Sequence, residues 1–132
     1  MASAGGNMSV MATTPAARAL ELILSRLRSA GLEATRDAGA VYPQPLAILV
    51  ALPAMVGRGA AFRTFEVSVF VISGDPLNSE PAVDRIFGVA DSVATVLETE
   101  AYRPSSWRGS VNAEPLPAVE LTVTVSIEES EV

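Results

Sequence analysis

The sequence predicts an α+β domain: a mostly antiparallel sheet of about four strands with two helices packed on one face. Two segments carry apolar residues at intervals of three and four, which predicts two amphipathic helices. A C-terminal segment alternates strictly between apolar and polar residues, which predicts a strand with one covered face and one solvent-facing face. Because two apolar helix stripes match one apolar sheet face, we expect a single domain spanning residues 14–128.

The first predicted helix has a start signal and a stop signal as well as an apolar stripe. Thr14 can cap its first turn, and Pro15 suits the first helical position. Gly31 suits the left-handed conformation that commonly follows a helix end. The stripe consists of Leu20, Ile23, Leu24, Leu27 and Ala30.

Two strands and a loop are predicted to follow. Residues 46–52 lie between prolines and show no alternation, which predicts a strand covered on both faces. Residues 54–61 contain Gly57 and Gly59 and are predicted to form a mobile loop. Residues 65–73 alternate at first and are then continuously apolar, so this strand should begin half-exposed and end covered on both faces.

The second helix is predicted to be capped by Asn78 or Ser79, with Pro81 in its first turn. Its apolar positions repeat over four turns at Val83, Ile86, Phe87, Ala90, Val93, Ala94 and Leu97. Residues 102–107 are predicted to be a short strand or an extended segment, and residues 119–128 form the alternating strand.

The composition excludes most catalytic chemistry. The chain has no cysteine, no histidine and no lysine, and all nine of its basic residues are arginine. These absences remove disulfides, thiol nucleophiles, the usual general base, the commonest metal ligands and the phosphate-loop lysine. The net charge of −6 argues against binding to the nucleic-acid backbone. We therefore expect a protein that is not an enzyme, with no cofactor, no metal and no specific nucleic-acid binding.

Polar side chains of the predicted strands are expected to share the solvent-facing side of the sheet. This predicted polar face consists of Glu66, Ser68, Glu120, Thr122 and Thr124. Glu66 and Glu120 can lie on adjacent strands, as the paired carboxylates of a glycosidase lie across a cleft. A solvated face does not raise a carboxyl pKa as a cleft does, so we interpret these residues as surface charges.

The apolar residues of the predicted loop favour a partner surface. Met55, Val56 and Phe62 lie beside Arg58 and Arg63, and exposed apolar residues bordered by arginine are typical of protein interfaces. The alternative is a loop folded back on its own core.

Three further features bear on assembly. Residues 1–13, which include Met8 and Met11, are predicted to be a flexible arm, or an arm that orders against a neighbouring subunit. Residues 129–132 form an acidic tail. Trp107 can be a core aromatic, an anchor in a subunit interface or a stacking platform for nucleic acid.

The chain is unusually apolar for a small domain. Hydrophobic residues make up 49% of it and charged residues only 18%, which suggests that apolar surface is buried between subunits. No apolar stretch is long enough to span a membrane, and the first residues lack the pattern of a signal peptide. We therefore expect synthesis in the cytosol and no membrane partner.

The order of elements and several short strings resemble those of the tail terminator (tail completion) proteins of long-tailed bacteriophages, particularly phages of actinobacteria. The strings are VYP at residues 41–43, LAILVALP at 46–53, RTFEVSV at 63–69 and PAVELTVTV at 117–125, with Trp107 before the last. The resemblance covers roughly residues 14–128.

The resemblance implies a structural virion protein without an active site. Such proteins form a ring, commonly a hexamer, that caps the tail tube, stops its polymerisation and provides the surface that joins the head. The implied partners are further copies of the chain, the tube protein and a head-completion or neck protein, with DNA passing through the ring. The implied location is the head-proximal end of the virion tail, and the host cytoplasm during assembly.

Two alternatives stay open. Head–tail connector proteins that close the portal have similar sizes and also form rings. A small α+β regulatory domain that binds a ligand between helix and sheet belongs to a different functional class.

Overall fold

A computed structural model describes residues 14–109 and 113–128 of the chain. It has the predicted α+β class, with two helices and one five-stranded antiparallel sheet. In chain order the elements are α1 (Pro15–Ser29), a short 3-10 helix (Ala38–Ala40), β1 (Leu46–Val50), β2 (Ala54–Arg58), β3 (Phe62–Ser73), α2 (Glu80–Leu97), β4 (Tyr102–Trp107) and β5 (Leu116–Glu128).

The two longest strands form the centre of the sheet. β3 and β5 pair along most of their length, from Phe62 opposite Glu128 to Ile72 opposite Ala118. β4 pairs with the other side of β5, but only from Leu116 to Leu121. On the other side of β3, β1 pairs with the C-terminal half and β2 with the N-terminal half.

The prediction of a mobile loop at residues 54–61 is wrong for its first five residues. Ala54–Arg58 is a strand that pairs with the start of β3, and it raises the number of strands to five. The Gly59 N–H donates a hydrogen bond to the Phe62 carbonyl (2.8 Å) and closes the turn between β2 and β3. This turn of three residues between two extended segments is an ordinary hairpin connection.

Both helices begin at the predicted caps. The Thr14 hydroxyl accepts a hydrogen bond from the Ala17 N–H (3.1 Å), and the Ser79 hydroxyl accepts one from the Ala82 N–H (3.3 Å). These bonds satisfy amide groups that have no partner within the helix. Gly31 has a φ of +85°, in the left-handed region predicted for it.

The main core lies between the helices and one face of the sheet. On the sheet side it is formed by alternate residues of β3 and β5, and the helices contribute their apolar stripes. Its fully buried members include Ile23, Leu24, Leu27, Val67, Val69, Val71, Ile86, Val93, Val119 and Leu121. The helices therefore cover one face of the sheet, and the opposite face lies away from them.

A second, smaller cluster covers one end of that opposite face. Its buried centre is Leu49, Ile72 and Ala118, and its half-buried border is Val41, Phe70, Trp107 and Leu116. β1 and the end of β3 are therefore covered on both faces, as predicted. The strand predicted over residues 46–52 is shorter than expected, since it ends at Val50 and Leu52 is 85% exposed. The other end of the same face, which includes the N-terminal half of β3, is polar.

Candidate interaction surface

The polar end of the sheet is built by the register of β3 and β5. Antiparallel partners point to the same side of a sheet. Ser68 lies opposite Thr122, Glu66 opposite Thr124, and Thr64 opposite Ser126. Thr122, Thr124, Ser126 and Glu66 are exposed, and Ser68 and Glu120 are half-buried. The structure thus places all five residues of the predicted polar face on one side of the sheet, away from the helices.

Hydrogen bonds across this face connect three strands. The Ser68 hydroxyl donates to Glu120 Oε2 (2.9 Å), and Arg103 Nη2 lies 3.3 Å from Glu120 Oε1. Further along, the hydroxyls of Thr64 and Ser126 are 3.1 Å apart. Glu120 therefore links β3, β5 and β4, and both of its carboxylate oxygens have partners.

The arrangement of carboxylates does not resemble a catalytic pair. Glu66 and Glu120 both border a surface depression of about 330 Å³, together with Tyr102, Arg103 and Thr122. Glu66 is exposed, and Glu120 is engaged by Ser68 and Arg103. Within residues 14–109 and 113–128, no group of three or more acidic side chains is placed to hold a metal ion. What this face offers chemically is hydroxyls, carboxylates and the exposed guanidinium of Arg103, which pairs with Glu120.

An exposed apolar patch lies at the hairpin formed by β2 and β3. Leu52 is 85% exposed, Met55 53%, Val56 56% and Phe62 49%. We call these four residues the hairpin patch. Only Leu22 and Tyr42 are other large hydrophobic residues exposed in the described part of the chain. These exposures show that the segment is not folded back on the core of the domain, and its role as a partner surface stays a prediction.

The members of the hairpin patch surround the sheet edge and do not share one face. Met55 lies opposite the buried Phe65, on the helix side. Phe62 lies opposite Glu128, on the polar side. Val56 is the extra residue at a bulge between Met55 and Gly57. A partner that covers all of them would approach edge-on.

Two arginines accompany the hairpin patch, as the sequence predicts. Arg58 lies opposite Arg63 in the β2–β3 pairing. Arg58 is exposed, whereas Arg63 is half-buried. Acidic residues lie at the same end of the sheet, since Glu66 is opposite Ala54 and Glu128 is opposite Phe62.

The remaining predicted interface residues lie elsewhere. Trp107 is half-buried in the second cluster, opposite Leu116, where it covers Ile72 and Ala118. This placement agrees with a core aromatic, and its role in an interface stays a prediction. Met8 and Met11 lie outside the described residues.

Leu52 was not predicted as an interface residue, although it is the most exposed hydrophobic side chain of the hairpin patch. It lies between Ala51 and Pro53, at the interruption between β1 and β2. The sequence signal was available: two extended segments separated by residues 59–61, with Gly59 in the turn, indicate a hairpin. Recognising it would have placed residues 54–58 on an edge strand, two residues after Leu52.

Tyr102 connects β4 to α2. Its hydroxyl donates a hydrogen bond to Asp91 Oδ1 (2.7 Å), and its ring centroid lies 5.9 Å from that of Phe87. The hydrogen bond to Asp91, assisted by desolvation and by the negative charge of Asp91, raises the pKa of Tyr102 above its ordinary value of about 10.

We expect Tyr102→Phe to lower the free energy of unfolding near neutral pH, because it removes the bond to Asp91 but keeps the ring against Phe87. A raised folded-state pKa means that the stabilisation is fully present below the unfolded pKa of about 10 and is lost as pH rises through the folded value. Urea midpoints of both proteins at about pH 7 and about pH 11 test this. A difference that is the same at both pH values would contradict it.

No protein-family model matches the chain, and no curated protein matches it. Neither helix of the described residues has the length and apolar character needed to cross a membrane.

Proposed function

We propose that the chain is the subunit of a ring at the head-proximal end of a phage tail, where it terminates the tail tube and provides the surface that joins the head or neck. The observation that carries the proposal is the hairpin patch, four exposed apolar side chains in and beside β2 and at the start of β3. The resemblance in element order and sequence strings supplies the identity of the assembly.

The polar face also supports the proposal. A ring around a DNA channel requires a lumen that does not bind the phosphate backbone, and negative charge with hydroxyl groups has that property. Glu66, Thr122, Thr124 and Ser126 provide such a surface on the side of the sheet away from the helices. In the proposed ring this face lines the channel, and the helices lie outside.

The first test is the solution mass of the purified chain by light scattering over a range of concentrations. We expect a mass of about 82 kDa, six times the 13.7 kDa of one chain, at the higher concentrations. A strict dimer or monomer whose melting temperature rises on addition of a small ligand would instead favour the regulatory domain.

A second measurement separates a terminator from a connector. Rings added to polymerising tube protein of the same phage should bind tube ends and limit tube length, as judged by electron microscopy. Rings that leave tube length unchanged and bind the portal or neck instead would assign the chain to the connector class. Both outcomes are consistent with a ring, but only the first is consistent with a tail terminator.

A further inference from the structure

The polar face of the sheet carries one basic side chain among its acidic ones. Arg103 in β4 lies opposite Glu120 in β5, so both side chains point to this face. The side chain of Arg103 is 73% exposed. Arginine is the side chain best suited to binding a DNA phosphate, so an exposed arginine is unexpected on a surface proposed to line a DNA channel.

The other arginines of the strands point to the helix side. Arg63 lies two residues before the buried Phe65, and alternate residues of a strand share a side. Arg58 is the partner of Arg63 in the β2–β3 pairing and therefore points the same way. Among the strand residues that the structure describes, Arg103 is thus the only arginine on the polar face.

Glu120 holds Arg103 in an ion pair. Oε1 of Glu120 lies 3.4 Å from Nε and 3.3 Å from Nη2 of Arg103, so two N–H groups of the guanidinium share one carboxylate oxygen. The Ser68 hydroxyl donates to the other oxygen, Oε2 (2.9 Å). The side chain of Glu120 is only 15% exposed. Glu120 is therefore fixed between β3 and β4, with its negative charge directly beside the guanidinium.

We propose that Glu120 keeps Arg103 from binding DNA in the channel. This inference rests on the proposed ring, in which the polar face lines the channel. A phosphate that approaches Arg103 must compete with a carboxylate already in contact, and that carboxylate also repels it. Glu120 is thus a positioning residue, because it acts on DNA only through Arg103.

The closed symmetry of a ring makes this pairing consequential. Without it, every subunit would add one free guanidinium to the channel wall. Several phosphate contacts made together give DNA binding that is strong and that weakens steeply with salt. DNA held in this way would not slide freely through the ring.

Glu120→Gln tests the inference, because it removes the negative charge beside Arg103 and keeps the size of the side chain. We expect Glu120→Gln rings to bind a short, labelled linear DNA duplex about tenfold more tightly than wild-type rings at low salt, with an affinity that falls as salt rises. Fluorescence anisotropy measures the affinity at each salt concentration. Light scattering checks that each variant is a ring.

Two further variants separate the ion pair from the net charge of the face. Glu66→Gln removes one negative charge from the same face but leaves Arg103 paired with Glu120, so its rings should bind DNA as weakly as the wild type. Glu120→Gln combined with Arg103→Gln should also return to the wild-type affinity, which a structural effect of Glu120→Gln alone would not do. Equal binding by the two single variants, or a double variant that still binds DNA, would overturn the inference.

The mass of each variant separates this inference from the proposed function. A Glu120→Gln ring with the wild-type affinity for DNA would overturn the role of Glu120 and leave the ring intact. A wild-type chain that stays monomeric at every concentration would overturn the ring and the inference together. If Glu120→Gln alone prevents ring formation, Glu120→Thr removes the same charge with a residue that favours strands, and its rings should bind DNA in the same way.

Discussion

Replacing Met55, Val56 and Phe62 together with serine is expected to abolish assembly while the fold is retained. About half of each side chain is solvent-exposed in the single subunit, and losing the buried half of all three costs the fold about 2–4 kcal/mol, of a total that is about 5–15 kcal/mol for a domain. Covering the exposed half of three such side chains contributes about 2–4 kcal/mol to association, which corresponds to roughly 30- to 1,000-fold in the association constant. Light scattering measures this as a shift of the assembly midpoint to higher concentration.

A matched substitution separates a specific contact from general loss of apolar surface. Tyr42 is 75% exposed and precedes β1, outside the hairpin patch. Tyr42→Ser should leave the assembly midpoint unchanged, and circular dichroism should show that both variants are folded. Assembly of the triple variant at the wild-type midpoint would remove the hairpin patch from the interface, and a misfolded triple variant would show that these side chains stabilise the sheet.

The features of the fold that local sequence determines could be predicted. Helix α1 has its cap, its apolar stripe and its terminal glycine within eighteen consecutive positions, from Thr14 to Gly31. The alternation along β5 directly reports one covered face and one solvent-facing face. Both signals lie within a single helix or strand, so each element could be recognised without knowledge of the rest of the chain.

Strand β2 could not be recognised from periodicity because its residues are mostly exposed on both sides. What makes Ala54–Arg58 a strand is its pairing with β3 and the turn at residues 59–61. Periodicity indicates a strand only where alternate side chains are buried, and few side chains of an edge strand at the end of a sheet are buried. The hairpin patch was thus located in the sequence, whereas its place on a sheet edge was not.

The sequence did not predict which part of β5 is left without pairing to β4. The sequence predicts a short strand at 102–107 and a longer one at its end, so unequal lengths were foreseeable. Which half of the longer strand is left uncovered depends on the register between them, and Tyr102 opposite Leu121 fixes that register. Likewise, the position of Trp107 over Ile72 and Ala118 depends on how three strands are aligned.

Leu121→Ala is expected to destabilise the domain more than any substitution on the polar face. Leu121 is fully buried at the centre of β5, opposite Val69, and it belongs to the core between helices and sheet. Truncating a buried leucine to alanine costs about 2–5 kcal/mol, of a total that is about 5–15 kcal/mol for a domain. The urea midpoint of unfolding should fall accordingly.

Thr122→Ala is the matched control, because Thr122 is the next residue of the same strand and points to the opposite, exposed face. Its bond with Thr99 uses the backbone carbonyl and survives the substitution, so we expect a change within about 0.5 kcal/mol. Equal effects of the two substitutions would mean that the polar face is packed within the subunit. A large difference would mean that the stability of the domain depends on the covered face of β5 and not on its polar face.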